Sequence, residues 1–222
     1  MKINILKKTP FLFLTLVKLF LILLSFIVGI QIFIKTFEYY QPDFSYGFLK
    51  GKEELFQSFY KYAFYVHIVS APVILLSGLT QFFRFIRIKL LAVHKLLGLI
   101  YVFFILFLAA PGGLVMGFYA HGGFWAIISF MLLTPLWWFF TWKAYKYIKS
   151  GNYEKHATYM TRSMILTLSA VFLRIYAFIA LWFFQDNSPE TYILISWLSW
   201  LPNLLLFELW FYLKPKSSAF LS

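Results

Sequence analysis

HKLLGLIYVFFILFLAAPGGLVMGF, residues 94–118, is the stretch that decides the fold. About 20 apolar residues in a helix span the hydrocarbon core of a bilayer, and this run exceeds that length with one lysine, Lys95, at its start. Five other stretches read the same way: about Phe11 to Ile34, Tyr62 to Phe83, Phe124 to Ile148, Tyr159 to Phe184 and Tyr192 to Leu213. Lys18 sits inside the first, near enough to one end to snorkel toward water. Pro111-Gly112-Gly113 and His121-Gly122-Gly123 both interrupt the region between the third and fourth runs. The expected result is a kinked third helix followed by a tight turn near His121.

Composition points the same way. The 222 residues are 62% hydrophobic and 23% aromatic, with a mean hydropathy of +0.77 and 13% charged residues. A soluble domain clothes its surface with roughly a quarter charged residues, so lipid is the solvent here. The net charge of +12 is spread over the flanks of apolar runs and forms no basic stripe, which argues against nucleic acid as a partner. The absence of cysteine removes disulfides, iron–sulfur clusters and thiolate ligands together. The first run is too long for a signal-peptide core and is read as a retained anchor.

Loop charges set the orientation. Lys2, Lys7 and Lys8 precede the first run, and Arg84, Arg87, Lys89 and Lys95 separate the second from the third. Lys143, Lys146, Lys149, Lys155 and Arg162 surround the fourth connection, and Lys214 and Lys216 follow the sixth run. In the alternate connections, Lys35, Lys50, Lys52 and Lys61 are offset by Glu38, Asp43, Glu53 and Glu54, and the turn from Gln185 to Glu190 carries acids alone. The expected fold class is therefore all-α: a polytopic membrane helix bundle of six transmembrane helices with both termini cytoplasmic. It forms a single membrane domain over residues 1–222, with a four- or five-helix core at 62–213 and a more peripheral first helix at 11–34. The segment from Lys35 to Lys61 is too short for a domain and has room for an amphipathic helix at Glu53 to Tyr60.

Ionisable groups inside a bilayer are costly and face the bundle interior. The four histidines, His67, His94, His121 and His156, alternate across the membrane in this topology. His94 and His156 form an inner pair; His67 and His121 form an outer one. Small and polar residues share their helix faces: His67, Ser70, Ala71, Ser77, Gly78 and Gln81 in the second run, and His94, Gly98, Tyr101 and Gly112 in the third. In the fifth, His156, Ser163, Thr167, Ala170, Arg174 and Ala177 align, with His156 and Arg174 separated by five helical turns.

Imidazoles on facing helices can ligate haem iron axially, and bundles hold such sites between helices. Haem b is thus the first candidate cofactor, with Gly and Ala giving space. Arg84, Arg87, Lys95 and Arg162 are candidate partners for inner propionates, and Arg174 for outer ones. The order of the histidines resembles that of the six-helix di-haem cytochromes of the b-five-six-one type, where alternate helix-borne histidines pair on two haems. His121 departs from that pattern by falling in a glycine-flanked turn.

Local motifs resemble a second group, an uncharacterised bacterial membrane family, the domain of unknown function numbered twenty-three-zero-six. The resemblance rests on His67 with Gly78 and Gln81, Arg84, and His94-Lys95-Leu96-Leu97-Gly98 with Tyr101. It continues through Gly122-Gly123, Trp138, Thr141, Ala144, His156, Met160, Arg162-Ser163, Ala170-Val171 and Leu173-Arg174 to Pro202-Asn203 and Glu208. It covers about Tyr62 to the C-terminus, implies residence in a bacterial inner membrane, and implies no activity.

Three functions stand side by side. The first is a b-type haem protein, a candidate oxidoreductase, transferring electrons across or along the membrane through one or two bis-His sites that use Gln81, Arg84, Arg162 and Arg174 as supporting groups. A quinone or another small redox molecule would be its partner, with the bilayer around it. The second is a membrane-embedded metalloenzyme acting on a lipid, with zinc or iron held by His94, His156 and either Glu208 or His67. The third is an assembly factor or transporter using His67, Arg174 and Glu208 as polar packing or a proton path. Each residue also has a structural reading: His94 and His156 as interfacial groups, His121 as a turn residue, Arg174 and Glu208 as partners of carbonyls or of opposite charges.

Overall fold

The computed structural model describes residues 9–45 and 47–213, which are helical throughout their regular elements. The terminal lysines Lys2, Lys7, Lys8, Lys214 and Lys216 lie outside the described residues, as does the side chain of Lys18. The elements are α1 (Thr9–Glu38), α2 (Glu53–Phe56), α3 (Tyr60–Thr80), α4 (Arg84–Lys89), α5 (Leu91–Phe104), α6 (Ala110–Phe118), α7 (Phe124–Lys149), α8 (Tyr153–Thr167), α9 (Ser169–Phe184), α10 (Pro189–Leu198) and α11 (Leu201–Leu213). Five segments among the described residues are long and apolar enough to cross a membrane: α3, α5–α6, α7, α8–α9 and α10–α11. They correspond to the second through sixth expected runs.

Three of these segments are broken, each for a local reason. Between α5 and α6, Ile105–Ala109 winds as a single π-turn. Pro111 follows it and carries no N–H, so a carbonyl in the preceding turn loses its helical donor. Between α8 and α9 the ladder breaks at Leu168, where Thr167 donates back to the Ser163 carbonyl (3.1 Å) and Ser169 to that of Leu166 (2.6 Å). Such back-bonding competes with the backbone ladder and bends helices. Between α10 and α11, Pro202 leaves the Leu198 carbonyl without a donor, and the chain turns at Ser199-Trp200.

Lipid tails are as apolar as leucine, so helices meet through shape and not through exclusion of water. Small residues set the crossings. A Cβ on Gly112 of α6 would stand 2.7 Å from the Ala63 carbonyl oxygen of α3, and one on Gly78 of α3 would stand 2.7 Å from the Tyr101 ring of α5. The first helix is less peripheral than its composition suggests. Val28 and Ile32 of α1 enter the main core with Ile74 and Leu75 of α3, and Thr36 donates to the Ile68 carbonyl at 3.4 Å. Phe26 meets Phe83 at the other end, so α1 runs antiparallel to α3.

The bundle has two ends. The basic end gathers α4, the starts of α5 and α8, and the end of α7. The loop end gathers 39–59, the 119–123 turn and the 185–188 turn. Gly122 and Gly123 hold φ of +90° and +76° in the middle turn, which puts His121 in a glycine turn as expected. The expected helix from Glu53 to Tyr60 is shorter: α2 ends at Phe56, and Tyr60 already begins α3. Leu49, Phe56, Tyr60 and Phe64 form a separate small core there.

Candidate functional site

Two histidines meet at the basic end. His94, in the first turn of α5, and His156, in the first turn of α8, line one partly open cavity of about 180 Å³ and lie within electrostatic reach of each other. Gly78 of α3, Gln81 just after it, Arg87 of α4, and Tyr101, Met160 and Met164 complete most of its wall. The two histidines of the expected inner pair come from two spans, and a third, α3, adds to the wall around them.

The two rings are held differently. His156 Nδ1 donates to the Ala144 carbonyl of α7 at 2.9 Å. A carbonyl only accepts, so Nδ1 carries the proton and the neutral ring keeps a free lone pair on Nε2. This is the arrangement by which proteins orient a ligating imidazole. His94 Nδ1 is buried with no hydrogen-bond partner. A buried polar atom without a partner costs about 1–3 kcal/mol, and His94 Nδ1 is the one such side-chain atom among the described residues.

Behind the pocket lies a hydroxyl network that sequence reasoning did not find. Tyr101, fully buried, bonds Ser163 at 2.9 Å and Thr167 at 2.7 Å. Trp137 Nε1 donates to Thr167 at 3.0 Å, and Thr141 bonds Ser163 at 2.7 Å. Each of these polar atoms would be expensive in hydrocarbon without the others. The legible signal was the i, i+4 pairing of Trp137 with Thr141 and Ser163 with Thr167, which places both pairs on facing stripes.

The other residues sort as follows. Gln81 sits in the pocket and donates to the Ser77 carbonyl at 3.2 Å. Arg87 lines the pocket, whereas Arg84 is exposed on α4 and is not part of its wall. Arg162 does not serve as a free cation: its guanidinium holds both Glu208 carboxylate oxygens, at 2.6 and 2.8 Å, inside a cage of Tyr159, Phe140, Phe207 and Phe211. Glu208 is correspondingly engaged. The three-ligand metal site expected from His94, His156 and Glu208 or His67 is not assembled, because among the described residues no three His, Cys, Asp or Glu side chains converge.

The expected outer pair is also not brought together in any recorded contact. His67 Nδ1 donates to the Ala109 carbonyl at 2.8 Å, a group in the π-turn, and Gly113 leaves room for its ring. The π-turn thus explains two features at once, since its Leu106 carbonyl accepts from Trp138 Nε1 at 3.2 Å. His121 is exposed and packs edge-on against Tyr192 of α10 instead. Arg174 of α9 is the group within electrostatic reach of His67. The shared face expected for the fifth span holds through Ser163 and Thr167, both buried, and diverges after the break at Leu168, where Arg174 and Ala177 are exposed.

The basic end thus holds two imidazoles from neighbouring spans, one oriented by a carbonyl and one lacking a partner among the described residues. The cavity is smaller than the roughly 300–1,000 Å³ of ordinary cofactor pockets. Its walls, however, include the long, flexible side chains of Gln81, Arg87, Met160 and Met164.

No curated protein and no solved structure matches the chain. Residues 64–211, more than half of the sequence, match the family described as predicted membrane protein DUF2306, and the chain belongs to that family.

Proposed function

We propose that this protein is a b-type haem protein of the bilayer with one bis-imidazole site, at the basic end, that moves electrons to or from a small membrane-soluble partner such as a quinone. The observation that carries the reading is the meeting of His94 and His156 in one cavity, one ring oriented through Nδ1 and the other with a buried nitrogen unpartnered. Bound there, the haem would supply a one-electron iron couple. The chain's own part is to hold and tune it. His94 and His156 would hold the iron, and Arg87 would offer a cation to a propionate. The Tyr101 network fixes α5 against α7 and α8 behind the pocket.

In this reading α1 is a sixth span, since its 30 residues reach about 45 Å as a helix. The basic end then faces the cytoplasm across a bacterial inner membrane. The expected second haem is dropped, because His121 packs on Tyr192. The test is the absorption spectrum of protein purified after expression with a haem precursor. A Soret band with sharp visible bands on reduction, lost in His94→Ala and in His156→Ala, is the expected result. Colourless wild-type protein would overturn the proposal.

A further inference from the structure

The loop end holds an open cavity of about 390 Å³ between the segment after α1, α2 and the start of α3. That volume falls within the roughly 300–1,000 Å³ of ordinary ligand pockets. Four aromatic rings in mutual contact frame it. Tyr40 stacks on Tyr65 at 6.2 Å, and Phe56 meets Phe44 and Tyr65 edge-on at 5.3 and 5.7 Å. Tyr65 also donates to the Tyr39 carbonyl at 2.7 Å, which ties the chain beyond α1 to α3.

Two opposite charges, Glu53 and Lys61, line the same cavity. Neither side chain makes a hydrogen bond or an ion pair with any described residue. The other charges of this segment are engaged or lie elsewhere. Lys35 pairs with Glu38 at 2.6 Å, Asp43 accepts from Ser45, and Lys52 lies over the Phe48 ring. Lys50 and Glu54 are exposed and do not line the cavity. The rings also lead out of it. Tyr40 touches Phe37, and Phe37 touches Phe33, all three exposed along the outer side of α1 and the residues just after it. An apolar strip thus runs from the charged cavity toward the middle of the helix.

We propose that this cavity binds the headgroup of a zwitterionic phospholipid with a primary amine, phosphatidylethanolamine in class, whose acyl chains lie along Phe37 and Phe33. Charge complementarity selects it. A simple anion would meet Glu53 and a simple cation would meet Lys61, whereas an ammonium joined to a phosphate offers each a partner of opposite sign. The aromatic faces attract the ammonium as well. A primary ammonium donates hydrogen bonds to the Glu53 carboxylate, which a quaternary one, lacking N–H, does not. The exposed strip favours a lipid over a soluble zwitterion, because only the lipid brings chains to cover it. The cavity shares no residue with the basic-end pocket and needs no haem.

The experiment uses the full chain in nanodiscs of equal parts phosphatidylethanolamine, phosphatidylcholine and phosphatidylglycerol with matched acyl chains, then extracted in neutral detergent. Mass spectrometry of the retained lipid compares wild type with Glu53→Gln, Lys61→Gln and Tyr40→Leu. Glu54→Gln is the control, since it makes the same charge change outside the cavity. Wild type and Glu54→Gln are expected to retain phosphatidylethanolamine about tenfold over each of the other two lipids. Glu53→Gln is expected to abolish that preference, Lys61→Gln to lower retained phosphatidylethanolamine about tenfold, and Tyr40→Leu to lower it about threefold. Glu53 and Lys61 are exposed, so their neutralisation leaves the fold standing, and unfolding temperatures of the variants check this. Equal retention of the three lipids by wild type, a preference for phosphatidylcholine or phosphatidylglycerol, or equal losses in Glu53→Gln and Glu54→Gln would overturn the proposal. So would displacement of the retained lipid by an equimolar amount of O-phosphoethanolamine, which carries the head without the tails.

Discussion

The two ends of the bundle each hold histidine and arginine, yet they engage them differently. At the basic end, His94 and His156 meet in one cavity with thioethers for walls, and the deep arginine there, Arg162, is neutralised by Glu208 and enclosed by aromatic rings. At the loop end His67 is turned onto a backbone carbonyl, and Arg174 pairs with no carboxylate among the described residues. One end therefore places two histidines in a pocket that Arg87 also lines, and its deep arginine is paired with an acid. The other places one histidine on a backbone carbonyl and an arginine on a carbonyl of its own helix. The same residue types are engaged differently, and the difference lies in whether the arginine has a carboxylate.

The sharpest way to break this comparison is to exchange histidines. His94→Ala or His156→Ala is expected to remove the b-type absorbance completely, while His67→Ala and His121→Ala retain most of it; visible spectra of the four purified variants decide the matter. Loss of the band in His67→Ala with retention in His156→Ala would move the donor site to the loop end. Next in size is the arginine pair. Glu208→Ala leaves the Arg162 guanidinium, 13% exposed, without its counter-charge, and is expected to cost about 2–4 kcal/mol. That figure sits below the range for a fully buried pair because Glu208 is 38% exposed. Denaturation in mixed micelles measures it, with Arg162→Met/Glu208→Leu expected to recover much of the loss.

A smaller effect separates packing from chemistry. Gly112→Ala pushes a Cβ into the Ala63 carbonyl oxygen, an atom that cannot rotate away, and should cost about 1–3 kcal/mol. Gly123→Ala meets no neighbour within 4 Å and bears the backbone strain of φ +76°, ψ −154° alone, about 1–3 kcal/mol. Thermal unfolding of the two variants measures the packing and the backbone loss separately. Thr167→Val, which takes an acceptor from Tyr101 and Trp137, should cost about 1–2 kcal/mol and broaden the haem bands.

The smallest effect is one of pH at the loop end. Burial pushes the Lys52 ammonium down from 10.5 to about 8. A lysine with a lowered folded value binds its proton more weakly when folded than when unfolded. Its unfavourable contribution is therefore full below about pH 8 and is relieved as pH rises toward 10.5. The unfolding temperature of wild type relative to Lys52→Met should rise between those values. A flat difference would mean that Lys52 is solvated in the folded protein.

Much of this was legible in the chain itself. Apolar length alone located the spans, because a bilayer demands a fixed number of helical residues. The alternation of His67, His94, His121 and His156 along that topology gave the inner pairing of His94 with His156. Small residues at Gly78 and Gly112 marked crossings for the same reason, since close approach requires the absence of a Cβ. Three things were not legible. The π-turn before Pro111 and the break at Leu168 depend on which side chain finds which carbonyl, and the break turns Arg174 away from the face shared by Ser163 and Thr167. Sequence also left open which inner arginine would have Glu208, since Arg84, Arg87 and Arg162 all lie toward that end. Tertiary structure decided it, because α11 lies against α8 so that Glu208 meets Arg162, and a carboxylate can neutralise only the arginine within its reach.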